Sequence, residues 1–479
     1  MPSTLEPTIQ LEERLLPAIV RMTLAGVPVD YEAWSQAAKE CENAALDVEE
    51  KLREIAPPKP RPAPMWNIDS PAGVKDLLHA IGLDVADTSS KTLKHHVNND
   101  VVSWVLAYRK AKKAKDEKEQ ARLRALIAEH APDPPKITEG WNFGSPAQVK
   151  EIAAILGFKL PSTDVLELLR YRDSHEFFSL MMEYRRLSKL ASTYGVAWFK
   201  DSYRNGRVYP SWWQLGTATG RMSCSTPNLQ QLPKAGPYKS CIQAPPGRTL
   251  VIADYSQIEL RIAAKIAPDK SMLDTFRKGE VDIHTETAQI LTGKEAPTKL
   301  ERSKAKVINF GLLYGMRKES LPDYALREYG LTMTQKEATT FYNKYFQVRK
   351  GLKSWHKSVA AEFFNKGRTL TTRTLTGRVR KDVQNFNEVL NHPVQGTGAD
   401  GLKLALVMLH EDRERYPTAV PILAAHDEII YEADEGEAEG VKAWVEETMK
   451  EAMGEIVNSD GLEVPIEVEA KIAPSWGGE

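Results

Sequence analysis

The chain has 479 residues, 42% of them hydrophobic and 27% charged, with a formal net charge of −1. That length exceeds what one compact core organises, so two or more subdomains are expected. The near-zero charge excludes a global pull on nucleic acid, and any such site must be local. Cys41, Cys224 and Cys241 form no CxxC pair, which argues against a zinc site or a disulfide framework. The polar, acidic N-terminus does not read as a signal peptide, and no apolar run approaches membrane-spanning length. A cytoplasmic protein is expected.

Residues 8–25 carry helical periodicity, and Gly26 to Asp30 turns the chain into a second helix over 32–55. The Pro-rich stretch at 57–64 is a linker. An internal repeat follows. WNIDSPAGVK, starting at Trp66, is echoed seventy-five residues later as WNFGSPAQVK, starting at Trp141. Each copy opens a helix with Ser-Pro, as N-cap and first helical residue, and runs to a glycine stop at Gly82 or Gly157. Tyr108-Arg109-Lys110 through Lys113 matches Tyr184-Arg185-Arg186 through Lys189. Two copies of one helical unit therefore occupy 66–113 and 141–189. Between them Arg109 to Arg124 reads as one basic helix, either a solvated charged face or a clamp on phosphate backbone.

Beyond residue 196 the texture changes. Arg207 to Pro210 reads as a strand. GTATGRMSCSTPNLQQLP (216–233) reads as a polar loop offering Arg221, Asn228, Gln230 and Gln231 for hydrogen bonding. Thr249 to Ala253 is a short buried strand running into Asp254, followed by helical character over 255–264. Residues 270–400 are mostly helical, with a β-like interruption at 369–379. Within them, Thr298 and Glu301 form a capping-box pattern and Gly315 is placed to end that helix. Arg302, Lys306, Phe310 and Tyr314 recur every four residues along it. Two cations followed by two aromatics suit a ligand with polyphosphate at one end and a flat ring at the other. Near the end, 422–425 and 429–432 form a hairpin with His426, Asp427 and Glu428 at its tip, and VPIEVEAKI (464–472) supplies a last strand. Helices grouped around a small sheet mean an α+β fold.

Asp254 at a strand end and Asp427 on a hairpin tip, brought to one sheet edge, would repel each other unless cations lay between them. Hard oxygen ligands of this kind suit Mg²⁺, completed by substrate phosphates. Two such ions can clamp the attacking and leaving oxygens of a phosphoryl displacement. With Arg302 and Lys306 for the outer phosphates and Phe310 as a stacking platform, the parts fit nucleotidyl transfer.

DYSQIELR (254–261), the 302–315 helix and AHDE (425–428) resemble motifs A, B and C of the family A DNA polymerases, the bacterial polymerase I type. TATGRMS with PNLQQLP, DIHTETA (282–288), NHPVQGTGAD (391–400) and the closing VPIEVE resemble that family in its order. The resemblance implies a right-hand polymerase: an N-terminal helical segment (1–60), a helical thumb carrying the repeat (61–195), a palm with a small antiparallel sheet (196–269 and 401–479) and helical fingers (270–400). It implies that Asp254, Asp427 and the Tyr255 carbonyl hold two Mg²⁺ ions, which Mn²⁺ could replace, with Glu428 nearby. Arg302 and Lys306 would grip the triphosphate, Lys306 also giving a proton to pyrophosphate, and His284 would assist there. Phe310 would stack on the incoming nucleotide, Tyr314 would guard the templating position, Gln257 would lie at the nucleotide, and Glu259 would crowd the sugar's 2′ position.

Arg221, Asn391 and Gln395 would feel the minor groove of the nascent pair, with Asn228, Gln230 and His426 also at DNA, and Arg185 and Lys189 would hold the duplex backbone. Some positions depart from the family pattern. Asn387 stands where many relatives have Arg, so that DNA contact is not carried over, and Phe310 in place of Tyr would disfavour nucleotides lacking a 3′-hydroxyl. No proofreading exonuclease domain is expected, so proofreading would be absent or supplied by another chain, with a separate exonuclease or processivity factor as a candidate partner. The expectation is a monomeric, phage-like replicase acting on primer–template DNA and dNTPs in a bacterial or phage-infected cell. A single-subunit RNA polymerase would share the metal acids, but Glu259 speaks against it. A binding module with a decayed site is opposed by the presence of both aspartates with Arg302 and Lys306.

Overall fold

The structure, a computed structural model, describes residues 6–59, 66–132, 140–233 and 236–478. Of the linker expected at 57–64, residues 60–64 lie outside the described residues. Two compact units divide the chain, Met1–Val48 with Asp164–Glu479 forming one and Glu49–Thr163 the other.

The larger unit is organised around a four-stranded antiparallel sheet of β1 (Arg248–Tyr255), β2 (Val420–Ala425), β3 (Glu428–Asp434) and β4 (Val468–Ala473), in the order β4-β1-β3-β2. Side chains alternate across a strand, and β1 is buried on both faces. Val251, Ala253 and Tyr255 join one apolar cluster, while Leu250 and Ile252 join another. This double burial is why the strand reads as an unbroken apolar run. Helices Glu6–Ala25, Phe386–Glu411 and Ala438–Val457 contribute to the first cluster, and the Tyr255 hydroxyl donates to Met449 O at 2.7 Å. The expected interruption in the helical region is a hairpin of Leu370–Arg373 with Val379–Val383.

The smaller unit contains both Ser-Pro helix starts. Ser70 accepts from Gly73 N at 3.0 Å at the head of Pro71–Ala80, and Ser145 caps Pro146–Ile155 in the same way. Gly82 and Gly157 follow with φ of +80° and +90°.

Four local expectations need correction. The run from Arg109 to Arg124 is two helices, Asp100–Ala114 and Glu117–His130, because Lys115 takes a left-handed conformation (φ 58°) and Asp116 caps the second. The helix after Asp254 begins only at Ile258, since β1 continues through Tyr255 and Gln257 is left-handed (φ 55°). The closing strand starts at Val468, four residues late. The polar loop contains a short strand, Ser223–Ser225, paired with Ser211–Trp213.

Candidate active site

The acids meet at one end of the sheet. Asp254 stands opposite Glu428 of β3 on one side and opposite Glu469 of β4 on the other. Between β2 and β3 the chain turns through His426 (φ 59°) and Asp427, a tight connection of the kind that needs positive φ. The turn delivers Asp427 to the end of β1, where its carbonyl accepts from Tyr255 N at 3.2 Å. Asp254 and His426 are exposed, whereas Asp427 and Glu428 are half-buried. Burial pushes the Glu428 carboxyl above its ordinary value, against the opposing pull of Lys239 and of Trp476. The Trp476 indole donates to Glu428 Oε1 at 2.7 Å.

No group of three metal-ligating side chains occurs among the described residues. Asp254 and Asp427 instead bring two carboxylates, each a hard oxygen donor, to this end of the sheet. Such a set fits Mg²⁺, which takes few carboxylates and keeps its remaining positions for water and phosphate.

The cationic–aromatic helix spans Lys299–Leu313 and begins with the full capping box of Thr298 and Glu301. Gly315 follows it with φ +75°, a conformation that favours glycine, and packs against the Leu390 and Phe386 side chains of Phe386–Glu411. Lys306 is exposed, while Phe310 and Tyr314 are half-buried. Arg302 is held side-on by Asp282, with Nη2 to Oδ1 at 3.0 Å and Nε to Oδ2 at 3.2 Å. Although burial pushes the Asp282 carboxyl up, Arg302 and Thr285 hold it below the ordinary value.

His284 is buried with its ring 5.6 Å from that of Phe310. Burial first, with Lys306 and Arg302 adding to it against Asp282, pushes the imidazole down to about 4, so it is neutral at physiological pH. A hydrogen-bond chain sets its tautomer. Fully buried Arg349, which can only donate, reaches Thr287 Oγ1 at 3.2 Å, and Thr287 donates to Asn309 Oδ1 at 3.1 Å. The Asn309 amide nitrogen then faces His284 Nδ1 at 3.0 Å. Nδ1 is therefore the acceptor and Nε2 carries the proton.

At the far end of the helix, the Tyr314 hydroxyl donates to Glu259 Oε2, whose other oxygen accepts from Arg221 Nη2 at 2.8 Å. Burial, then Glu259, pushes the phenol far up, and Gln395 also hydrogen-bonds it. Asn387 Nδ2 donates to Tyr314 O at 2.5 Å. The left-handed Gln257 sets the first turn of Ile258–Ile266, which places Glu259 five residues beyond Asp254.

Arg221, Asn228, Gln230 and His426 line one cavity of about 250 Å³. Gln230 Nε2 donates to Ala424 O at 2.9 Å, and Asn228 Oδ1 accepts from Cys224 Sγ at 3.5 Å. Asn391 and Gln395 lie one turn apart on Phe386–Glu411. Arg185 and Lys189 lie on Glu176–Tyr194, Lys189 exposed and Arg185 half-buried.

Sequence reasoning missed Asp282, Asn309, Trp476 and Glu469. Asp282 alone had a local signal, as an N-cap ahead of His284. The other three depend on register and tertiary contact.

The sequence model of DNA polymerase family A matches residues 117–478. DNA polymerase I of Aquifex aeolicus is 40% identical over 345 residues, which are 69% of this chain and 58% of that protein. The thermostable DNA polymerase I of Thermus aquaticus is 37% identical over 339 residues, covering 67% of this chain and 38% of the relative. The chain thus spans less than two thirds of the length of these relatives. Both are bacterial, and nothing in these matches supports a phage origin. Among solved structures, the POL domain of Pol1 from M. smegmatis, in complex with DNA primer-template and dNTP, aligns with a TM-score of 0.67 at 22% identity. That alignment covers 97% of this chain and 70% of the other, a likeness of fold. With three quarters of its length matched by the family model, the chain belongs to DNA polymerase family A.

Proposed function

We propose that this chain catalyses DNA-templated DNA synthesis, joining the α-phosphate of a dNTP to a primer 3′-hydroxyl with loss of pyrophosphate. The observation that carries the reading is the meeting of two distant acids at one sheet end, where Tyr255 N donates to Asp427 O beside Asp254. Asp254, Asp427 and the Tyr255 carbonyl would hold two divalent ions, Mg²⁺ or in its place Mn²⁺, with Glu428 behind them. Bound there, the ions would supply positive charge to the attacking and leaving oxygens.

The remaining work falls to side chains. Arg302 and Lys306 bind the triphosphate, and Lys306 protonates the leaving pyrophosphate. Neutral His284 offers its Nε2–H to a phosphate oxygen. Phe310 stacks on the incoming base, Tyr314 closes the templating position, and Gln257 lies at the nucleotide. Glu259, fixed from both sides by Tyr314 and Arg221, fills the space a 2′-hydroxyl would need. Arg221, Asn391 and Gln395 sense the minor groove, Asn228, Gln230 and His426 support the template and primer, and Arg185 and Lys189 hold the duplex backbone.

In this reading residues 196–269 and 401–479 are the palm, 270–400 the fingers, 61–195 the thumb, and 1–60 an N-terminal support. Closure of the Lys299–Leu313 helix over a correct pair completes the site. The protein acts as a monomer inside the cell. No described helix is long and apolar enough to cross a membrane.

The test is extension of a primed DNA template with Mg²⁺ and dNTPs or rNTPs. Complementary dNTPs should be added with release of pyrophosphate. Absence of extension, or equal use of rNTPs, would overturn the reading.

A further inference from the structure

The first repeated unit has no part in the chemistry above, yet it is a complete module. Its apolar core, from Trp66 through Tyr108 to Ile127, draws only on its own residues. Its ends close on themselves. The Trp66 indole donates to Pro132 O at 2.9 Å, whereas the matching Trp141 indole donates to Pro57 O at 2.7 Å. Lys59 Nζ reaches Gly140 O at 3.3 Å. The chain therefore leaves the second copy's framework at Pro57, builds the first copy, and rejoins it at Trp141, the arrangement of a module inserted into its own duplicate.

The copies share more than a scaffold. Arg109, Lys110 and Lys113 of the first match Arg185, Arg186 and Lys189 of the second. Arg109 is tied to the segment before a helix cap, donating to Thr88 O at 2.6 Å ahead of the Ser89 cap. Arg185 likewise lies by the Asp164 cap, whose charge acts on it. The first copy then adds cations. Lys110 lies on the face of Asp100–Ala114 opposite its core side (Val101, Val105, Tyr108), Lys113 stands exposed on the flank of its last turn, and Lys115 and Lys118 continue the patch at the turn. All four are exposed, and none has an ion-pair partner among the described residues. Lys112 and Arg124, by contrast, are engaged by Asp69. Lys115 moreover occupies the left-handed position after the helix, where the backbone favours glycine. A cation stands there against local preference.

We propose that the first copy is a second grip on the phosphate backbone of duplex DNA, with Lys110, Lys113, Lys115 and Lys118 as its contacts. This rests on the polymerase reading, in which the second copy holds duplex through Arg185 and Lys189. Counterion release gives such a grip a definite readout, because each lysine that meets a phosphate adds about 1 to the slope of log affinity against log salt.

The experiment uses the full chain with all four lysines changed to Gln, and a companion with all four changed to Arg. Affinity for primer–template is measured against salt and against duplex length, alongside single-nucleotide addition at saturating DNA. The Gln variant should bind about tenfold or more weakly near 0.1 M salt, with a slope lower by about 2 to 4. The parent chain should gain affinity on longer duplexes, and the Gln variant should lose that gain. The Arg variant should retain both, and addition at saturating DNA should be unchanged in both variants. Parent-like affinity and slope in the Gln variant would overturn the proposal, leaving the module as a prop or a site for an acidic protein. Because addition at saturating DNA is read separately, its loss in the parent chain would instead count against the polymerase reading.

Discussion

Asp282→Asn tests the support of the proposed triphosphate contact at Arg302. Asp282 grips Arg302 through Nε and Nη2, which leaves both N–H groups of Nη1 for a phosphate. The ion pair and the proposed triphosphate contact are therefore compatible, and in that reading Asp282 would act as a positioning residue. Asparagine retains the cap on His284 N and Thr285 N, so the substitution removes the charge and not the helix start. Arg302 and Asp282 are 46% and 30% exposed, and solvent-screened pairs of this kind contribute about 0.2–1 kcal/mol. Converted, that is a rise of roughly 1.4- to 5-fold in KM for dNTP, with kcat unchanged within about twofold. Arg302→Ala removes a charge-assisted contact of about 1.5–3 kcal/mol and should cost roughly 10- to 150-fold in kcat/KM. The double variant should be no worse than Arg302→Ala alone, since Asp282 acts only through Arg302. Steady-state single-nucleotide addition measures all three. A lower KM in Asp282→Asn would mean that the carboxylate competes with the triphosphate. Additive losses would mean that the two residues act independently, and either result refutes the reasoning.

Glu259→Ala should raise the use of rNTPs relative to dNTPs about tenfold or more, read as the ratio of kcat/KM values; an unchanged ratio would show that the sugar gate lies elsewhere. Burial pushes His284, His356 and His392 each down to about 4, so the fold holds them neutral. Their contribution is complete above the unfolded value of about 6.5 and is lost as pH falls from there toward 4. Denaturant unfolding should therefore show lower stability at pH 5 than at pH 7, and His356→Gln should narrow the difference. Glu12 accepts from buried Lys403 at 2.5 Å and from Arg378 at 2.5 Å, so Glu12→Gln should lower unfolding free energy by about 3 kcal/mol. A change under about 0.5 kcal/mol would show that Asp400, which also pairs Arg378, compensates fully.

What could be read from residues alone was whatever local pattern dictates. An apolar run into Asp254 and two apolar runs around His426-Asp427 sufficed for the two strand ends that carry the acids. The capping box and four-residue spacing sufficed for the helix that carries Arg302, Lys306 and Phe310. Unreadable were features set by contact at a distance. That Glu469 stands opposite Asp254 follows from the register of β4, which starts late because Val464 to Glu467 is not strand. The left-handed Gln257 and Lys115 broke expected helices without a glycine or proline to announce it. A run such as RKAKKAKDEKEQARLR has helix-forming residues throughout, and only tertiary packing reveals the turn within it. The chain from Arg349, a residue between two helices, to His284 runs through two further helices, Ile283–Thr292 and Lys299–Leu313, and has no sequence period.

The central claim is that Asp254 and Asp427 together hold the ions that drive nucleotide addition. Asp254→Asn and Asp427→Asn keep shape and hydrogen bonding while removing charge. Each is measured for single-nucleotide addition and for primer–template affinity. Either variant should lose about a thousandfold or more in addition, the several kcal/mol of a metal clamp, with DNA affinity within about threefold of the parent. Addition within tenfold of the parent in either variant would contradict the claim.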